Sequence, residues 1–155
     1  MIDHSGFARL LVDDGRDRTE VDLGSDARLF SAEEGPGFPL LSGEELAVDK
    51  VLALFGRAEA RDFVDLMAVA DRYGLDRLLD LAAEKDRGFD ARVFAEMLSR
   101  IHRLPRAAFP LDDRRYEELH VVIGIWKERA LGYAHEQGRF RDIRRDRGPD
   151  LGLGR

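Results

Sequence analysis

The stretch SGEELAVDKVLALFGRAEARDFVDL, residues 42–66, decides the fold of this chain. It opens on Ser42, a good helix N-cap, and Glu45 follows three residues later, which is the pattern of a capping box. An apolar side with helical spacing then predicts an α-helix that ends near Gly56; its members are Leu46, Val48, Val51, Leu52 and Phe55. A second helix is predicted to begin at about Ala60.

Three charged residues in this stretch can carry chemistry. Lys50 lies in the first predicted helix, and Asp62 and Asp65 lie in the second. The two aspartates are three residues apart, so we expect them to share one face of their helix. A cation and two carboxylates fit a nucleotide site. They equally fit a solvated helix face on which Arg61 and Asp65 form an ordinary ion pair.

The segments EELAVDKVLALFGR and RDFVDL resemble the second half of nucleotidyltransferase toxins of the AbiEii/AbiGii type. The resemblance extends over about residues 7–116. That family comprises the toxins of type IV toxin–antitoxin systems, which act in abortive infection, a phage defence, and it has a polymerase-β-like fold. The resemblance implies Mg²⁺-dependent transfer of a nucleoside monophosphate from an NTP to an acceptor such as tRNA. It also implies a cognate antitoxin with a winged-helix domain.

The resemblance assigns roles to individual residues. Asp22 corresponds to a catalytic carboxylate that binds metal, and Lys50 to the helix lysine that contacts the nucleotide phosphates. Asp62 corresponds to the catalytic acid of the RDFxDL block. Arg61 and Asp65, its neighbours in that block, are expected to help bind the substrate.

The family's principal pair of carboxylates is expected ahead of Asp22, in a Gly-Ser motif followed by D-x-D. The sequence shows no such motif. We therefore expect the chain to correspond to the C-terminal part of a family member and to be inactive or very weak alone. The alternative is a non-catalytic helical module that binds an antitoxin or a separately encoded N-terminal half.

The N-terminal region predicts a β-hairpin. Residues 6–12 are apolar, residues 18–23 alternate, and Asp-Asp-Gly-Arg at 13–16 is good turn chemistry. In the second strand Thr19, Val21 and Leu23 are expected to face one way, with Glu20 and Asp22 facing the other. From this alternation alone, a solvent-side position is the better interpretation of Asp22.

The rest of the chain predicts a linker and further helices. Residues 24–41 contain Gly-Pro-Gly and Pro39, which favour a loop with a short strand at Leu29 and Phe30. Helices are then predicted over about 60–73 and 75–85, after Asp90, and from Asp112 or Asp113 onward. The last of these carries an apolar stripe of Tyr116, Leu119, Val122, Ile123, Trp126, Ala130 and Tyr133.

These elements predict an α+β chain that is mostly helical: an N-terminal hairpin, by resemblance a remnant of the polymerase-β-like sheet, followed by about five helices. We divide it into a hairpin and linker at 1–41, a helical domain at 42–136 and a disordered basic tail at 137–155. The tail carries too few apolar residues to fold alone.

Composition excludes several classes of protein. The net charge is −6, so no basic field indicates DNA binding. The absence of cysteine excludes disulfides and thiolate chemistry. The sequence contains neither a signal peptide nor an apolar run that could span a bilayer, which predicts a cytoplasmic protein without membrane contact.

Overall fold

The computed structural model describes residues 2–4 and 6–146. The chain is α+β and predominantly helical, as predicted. Strands β1 (Ile2–His4), β2 (Phe7–Asp13) and β3 (Arg18–Gly24) form an antiparallel sheet in that order. Five α-helices follow: α1 (Gly43–Gly56), α2 (Ala60–Tyr73), α3 (Leu75–Lys85), α4 (Ala91–Leu98) and α5 (Asp113–Asp146). The short strand β1 was not predicted.

The hairpin between β2 and β3 confirms the predicted turn. Asp14 Oδ1 accepts hydrogen bonds from the amides of Arg16 and Asp17, each at 2.8 Å. Asp13 Oδ1 accepts from the amide of Gly15 at 2.8 Å, and Gly15 has a positive φ of 85° that favours glycine. Side-chain oxygens that accept from nearby backbone amides are what make aspartate a turn residue.

One face of the sheet is apolar and exposed. Paired residues of β2 and β3 lie on the same face, so the apolar face carries Ala8, Leu10 and Val12 beside Leu23, Val21 and Thr19. Within residues 7–13 and 18–24 no side chain is buried. Val12 and Leu23 are each 52% exposed. Strands β2 and β3 therefore contribute no residue to the hydrophobic core.

The core lies among the five helices. Its largest fully buried apolar side chains come from all five helices; they include Leu54, Phe63, Leu66, Leu78, Leu79, Phe94, Leu98 and Leu119. Two short 3₁₀ segments, Ser99–Arg103 and Arg106–Ala108, connect α4 to α5. Leu104 and Pro105 lie between these segments, since proline disfavours helix at the residue before it.

Helix α1 begins where the sequence predicts but buries a different face. Ser42 Oγ accepts from the amide of Glu45 at 3.1 Å, which confirms the N-cap. The predicted apolar side is partly wrong: Leu46 is 41% exposed, while Ala47 and Leu54 are fully buried. The buried face consists of Ala47, Val48, Val51 and Leu54, and Glu45 is buried beside it.

The linker between β3 and α1 lacks the short strand predicted at Leu29 and Phe30. The amides of both residues donate to the Glu45 carboxylate, so they are not available for a ladder. Instead the linker forms an isolated bridge between Glu33 and Leu40, with two backbone hydrogen bonds of 2.9 Å.

Helices α2 and α5 show one confirmed and one corrected boundary. Helix α2 ends at Tyr73 before Gly74, whose φ of 75° suits glycine, as predicted. Helix α5 continues to Asp146, so the part of the predicted tail at 137–146 is helical. Once preceding turns are packed, each added residue gains a hydrogen bond without a new nucleation cost. Residues 147–155 lie outside the described part.

No helix within residues 2–4 and 6–146 combines the length and the apolar content needed to cross a membrane.

Candidate functional site

Lys50 lies where α1 packs against α2. Its Nζ donates to Asp65 Oδ2 at 2.7 Å, and the two side chains are 28% and 40% exposed. The pair therefore joins α1 to α2, and it leaves the Lys50 side chain partly exposed. An ammonium has three donors, so one bond to Asp65 does not exhaust it.

Asp62 is buried and serves the N-terminus of α2. Its carboxylate accepts from Arg57 Nε at 2.9 Å, from Arg57 Nη2 at 2.7 Å and from the amide of Glu59 at 3.0 Å. Burial by itself would raise the pKa of Asp62, but these hydrogen bonds outweigh it and hold the pKa below its usual value. The carboxylate is therefore ionised and fully engaged in capping the helix.

The two aspartates of α2 have different partners, although their spacing predicts a shared face. Asp62 is fully buried against Arg57, whereas Asp65 reaches Lys50 on α1. The ion pair expected between Arg61 and Asp65 is absent from the described contacts. Arg61 instead lies 3.4 Å from Glu59 Oε2 and is 67% exposed. The packing of α1 on α2 brings Lys50 within reach of Asp65. The spacing of residues within either helix does not predict this contact.

Asp22 lies on the sheet, on the face opposite the apolar one. Arg9 donates to both of its oxygens, from Nε at 2.7 Å and from Nη2 at 2.8 Å. These hydrogen bonds lower the pKa of Asp22. The described contacts include no hydrogen bond or ion pair that joins Asp22 to Lys50 or to Asp62. Both oxygens of the Asp22 carboxylate therefore accept hydrogen bonds from a residue of the neighbouring strand β2.

The described residues do not fit a divalent metal centre. Both oxygens of Asp22 are occupied by a guanidinium, and Asp62 is occupied by Arg57 and a backbone amide. Across residues 2–4 and 6–146 no three His, Asp or Glu side chains are grouped as a cation would need. Divalent cations such as Mg²⁺ require carboxylate oxygens that face them directly.

A buried cluster that the sequence did not predict lies at the other side of α1. Lys85, at the end of α3, donates to Glu45 and to Asp49 of α1, and its ammonium lies 3.2 Å from Asp26 of the linker. The Lys85 side chain is only 4% exposed, and Glu45 is fully buried. Arg28 lies 3.2 Å from Asp26 and 3.3 Å from Asp49. One sequence signal pointed to it: Glu45 interrupts the apolar side of α1.

The charges of this cluster stabilise one another. Burial alone would raise the pKa of Glu45, but the hydrogen bonds from Lys85 and from two backbone amides keep it below its usual value. Burial alone would lower the pKa of Lys85, but its bonds to Asp49, Glu45 and Asp26 raise it. Both groups are therefore charged at neutral pH, as a buried ion pair requires.

Comparison with known families gives one match. A family model described as nucleotidyl transferase AbiEii toxin, type IV TA system, matches residues 7–148. No curated protein and no solved structure matches the chain.

Proposed function

The chain belongs to the AbiEii nucleotidyl transferase toxin family of type IV toxin–antitoxin systems, and on this premise we propose that it binds a nucleoside triphosphate through Lys50. The proposed reaction is transfer of the nucleoside monophosphate to an RNA acceptor such as tRNA. The proposed counterpart in the cell is a cognate antitoxin with a winged-helix domain.

The environment of Lys50 carries the proposal. A phosphate ligand needs a positive group that is held in place and still reachable, because an ordered cation loses less entropy on binding. Lys50 is held by Asp65 and is 28% exposed, so it satisfies both conditions. The compact ammonium of lysine suits phosphate as a point charge.

Arg61 supports the same proposal from the neighbouring helix. It lies one residue before Asp62 in α2, is 67% exposed and touches only the exposed Glu59 among the described residues. Its guanidinium is therefore free to turn toward a ligand near Lys50, and guanidinium groups bind phosphate through two parallel hydrogen bonds. We assign Arg61 a secondary role in substrate binding, and we assign Asp65 the role of holding Lys50.

The proposal rests on phosphate recognition and not on metal ligation, because the carboxylates of Asp22 and Asp62 do not fit a metal centre as they stand. Asp62 supports the site indirectly, since it caps the helix that carries Arg61 and Asp65.

Replacing Lys50 by alanine is expected to weaken NTP binding about ten- to a hundredfold, the range for losing hydrogen bonds to a charged group. Calorimetric titration of the four NTPs in the presence of Mg²⁺ measures this change. Lys127→Ala is the matched control, because Lys127 is also a half-buried helical lysine but lies on α5. Equal affinity of wild type and Lys50→Ala would contradict the proposal.

The transfer reaction has its own test. The chain is incubated with α-labelled NTPs, Mg²⁺ and a tRNA pool, and label that enters RNA is counted. The chain alone is expected to incorporate little or no label, because the carboxylates of Asp22 and Asp62 do not fit a metal centre. Robust incorporation would contradict that expectation, and a fall of at least about tenfold in Lys50→Ala would then assign the phosphate contact to Lys50.

A further inference from the structure

Two contacts define how α1 and α2 lie along each other. Lys50 Nζ donates to Asp65 Oδ2 at 2.7 Å. Gly43 lies so close to Tyr73 Oη that a Cβ at residue 43 would overlap it. The first contact joins the middle of the two helices, and the second joins the start of α1 to the end of α2. The helices are therefore antiparallel, and the ion pair lies partway along the seam between them.

Two apolar residues lie beside the ion pair, one on each helix. Leu46 precedes Lys50 by four residues in α1, and Val69 follows Asp65 by four residues in α2. Residues four apart on a helix share a face, with about 5–6 Å between their Cβ atoms. Because the helices are antiparallel, both spacings lead from the ion pair toward the same end of the seam, where α1 begins and α2 ends.

Leu46 and Val69, which we call the apolar strip, differ in burial. Val69 is half-buried and packs against the hydrophobic core, whereas the Leu46 side chain is 41% exposed. A single exposed leucine is ordinary on a protein surface. What distinguishes Leu46 is its position, one helical turn from the lysine that we assign to phosphate.

The seam is cationic on the other side of the ion pair. Arg61 precedes Asp65 by four residues in α2, so it lies on the opposite side of the pair from Val69, and it is exposed. Arg57 is the C-cap residue of α1 at that same end of the seam, and its guanidinium bonds to Asp62. Along its length the seam therefore changes from arginines, through the ion pair, to the apolar strip.

The acids of α1 all pair away from α2. Glu44 pairs with Arg77, and Glu45 and Asp49 both pair with Lys85. Both of these cations belong to α3. The described ion pairs thus place no carboxylate of α1 in the seam, where it would repel an anionic ligand.

We propose that the apolar strip is the nucleoside-binding part of the NTP site, with the base against Leu46 and the triphosphate extending from Lys50 toward Arg61. A nucleotide is polyanionic at one end and carries a flat base at the other, and the seam has the same polarity. The base removes apolar surface of Leu46 from water. This inference rests on the proposed function, and it specifies that the ligand is a nucleoside triphosphate and not an inorganic polyphosphate.

Inorganic triphosphate is the probe that separates the two ends of the site, because it carries the anionic part without the nucleoside. Each NTP and inorganic triphosphate are titrated calorimetrically into the full chain with Mg²⁺. Wild type is expected to bind NTP at least about threefold more tightly than inorganic triphosphate. Leu46→Ser is expected to weaken NTP binding about three- to tenfold and to leave triphosphate binding unchanged, whereas Lys50→Ala weakens both.

Leu46→Phe tests the same contact in the opposite direction. An aromatic ring at this exposed position offers a stacking surface to any base, so NTP binding is expected to tighten about threefold or more, with triphosphate binding unchanged. A gain of affinity does not arise from loss of folding. Leu131→Ser is the matched control, because Leu131 is 40% exposed and lies on α5, and it is expected to change the binding of neither probe.

Each contrary result is distinct. Equal affinity of wild type for NTP and inorganic triphosphate would overturn the nucleoside contact and leave the phosphate role of Lys50 intact. Unchanged NTP affinity in both Leu46 variants would overturn it too, and so would an equal loss of both probes in Leu46→Ser. Absence of binding of either probe to wild type would overturn the proposed function and this inference with it.

Discussion

Replacing Lys85 by methionine is expected to lower the free energy of unfolding by about 3–5 kcal/mol, the range for removing one partner of a buried ion pair. Lys85 is 4% exposed and is the described cation that contacts the fully buried Glu45. Methionine matches the stem of lysine in length, so packing changes little. The loss comes from the carboxylate that is left buried without its counter-charge.

Urea denaturation at neutral pH measures this loss. Lys127→Met is the control, because Lys127 is a half-buried lysine of α5 outside the cluster, and its replacement is expected to cost below about 1 kcal/mol. The double variant Lys85→Met/Glu45→Met is expected to be more stable than the sum of the single effects predicts, because no uncompensated charge remains. Strict additivity would show that the two residues do not form a coupled pair.

The pH dependence of stability has a defined sign. The pKa values of Glu45 and Asp62 lie below their usual values in the folded chain. Both groups therefore stabilise the fold above the pKa of an unfolded carboxyl, about 4. This stabilisation is lost as the pH falls through the lower, folded pKa values. The pKa of Lys85 is raised, so its contribution is present below the unfolded pKa of lysine, about 10.4, and is lost as the pH rises through the folded value.

Replacing Asp62 by alanine is expected to lower the free energy of unfolding by about 2–4 kcal/mol. The variant loses the cap of α2 and two hydrogen bonds from Arg57, and it leaves the amide of Glu59 without its acceptor. The effect is expected to be smaller than that of Lys85→Met, because Arg57 is 46% exposed and can be solvated when its partner is removed.

The control for this prediction lies one helical turn away. Asp65→Ala removes a carboxylate that is 40% exposed and pairs with Lys50, and it is expected to cost below about 1 kcal/mol. Asp62→Asn keeps an oxygen that can accept from Glu59 but loses the charge that faces Arg57, so its stability is expected to fall between wild type and Asp62→Ala. Thermal unfolding compares all three. Equal costs for Asp62→Ala and Asp65→Ala would show that Asp62 does not cap α2.

These two predictions separate structural from functional aspartates in the RDFVDL block. Resemblance gives Asp62 a catalytic role and Asp65 a supporting one. In the fold, Asp62 is buried in a helix cap and Asp65 faces the lysine that we assign to phosphate. A stable Asp65→Ala with weak NTP binding is expected if Asp65 orders Lys50, since its loss frees the ammonium without unfolding α2.

The local elements of this chain follow from its sequence, because their causes lie within a few residues. Ser42 is predicted as an N-cap from its own side chain and confirmed as one. The turn at Asp13 and Asp14 and the stop at Gly74 are confirmed for the same reason. Spacing also predicts that the stripe of α5 faces inward, and Leu119, Ile123, Trp126 and Ala130 are buried.

The errors around Glu45 arise because its partners are remote in sequence. Glu45 has the spacing of a capping box, but its carboxylate contacts Lys85, which is 40 residues away, and two linker amides. The amides of Leu29 and Phe30 bond to Glu45 and not to a neighbouring strand, and on α1 Glu45 is buried while Leu46 is exposed. Glu45 lies three residues before Val48, on the apolar side of α1, but a glutamate is almost never fully buried unless it is paired, so its residue type alone predicts exposure.

The sequence by itself determined the helices, the hairpin, the helix caps and the family. Helical spacing, turn residues and a motif such as RDFVDL can each be recognised because they depend on residues that are close together in the chain. Only the tertiary structure decided which charges meet: Lys50 with Asp65 across 15 residues, Lys85 with Glu45 across 40, and Arg9 with Asp22 across 13. An ion pair can form between residues at any separation along the chain, and a carboxylate can pair with any cation that lies near it. The partner is therefore set by which elements pack together, and the packing in turn decides that Lys85 is buried and that Lys50 stays partly exposed.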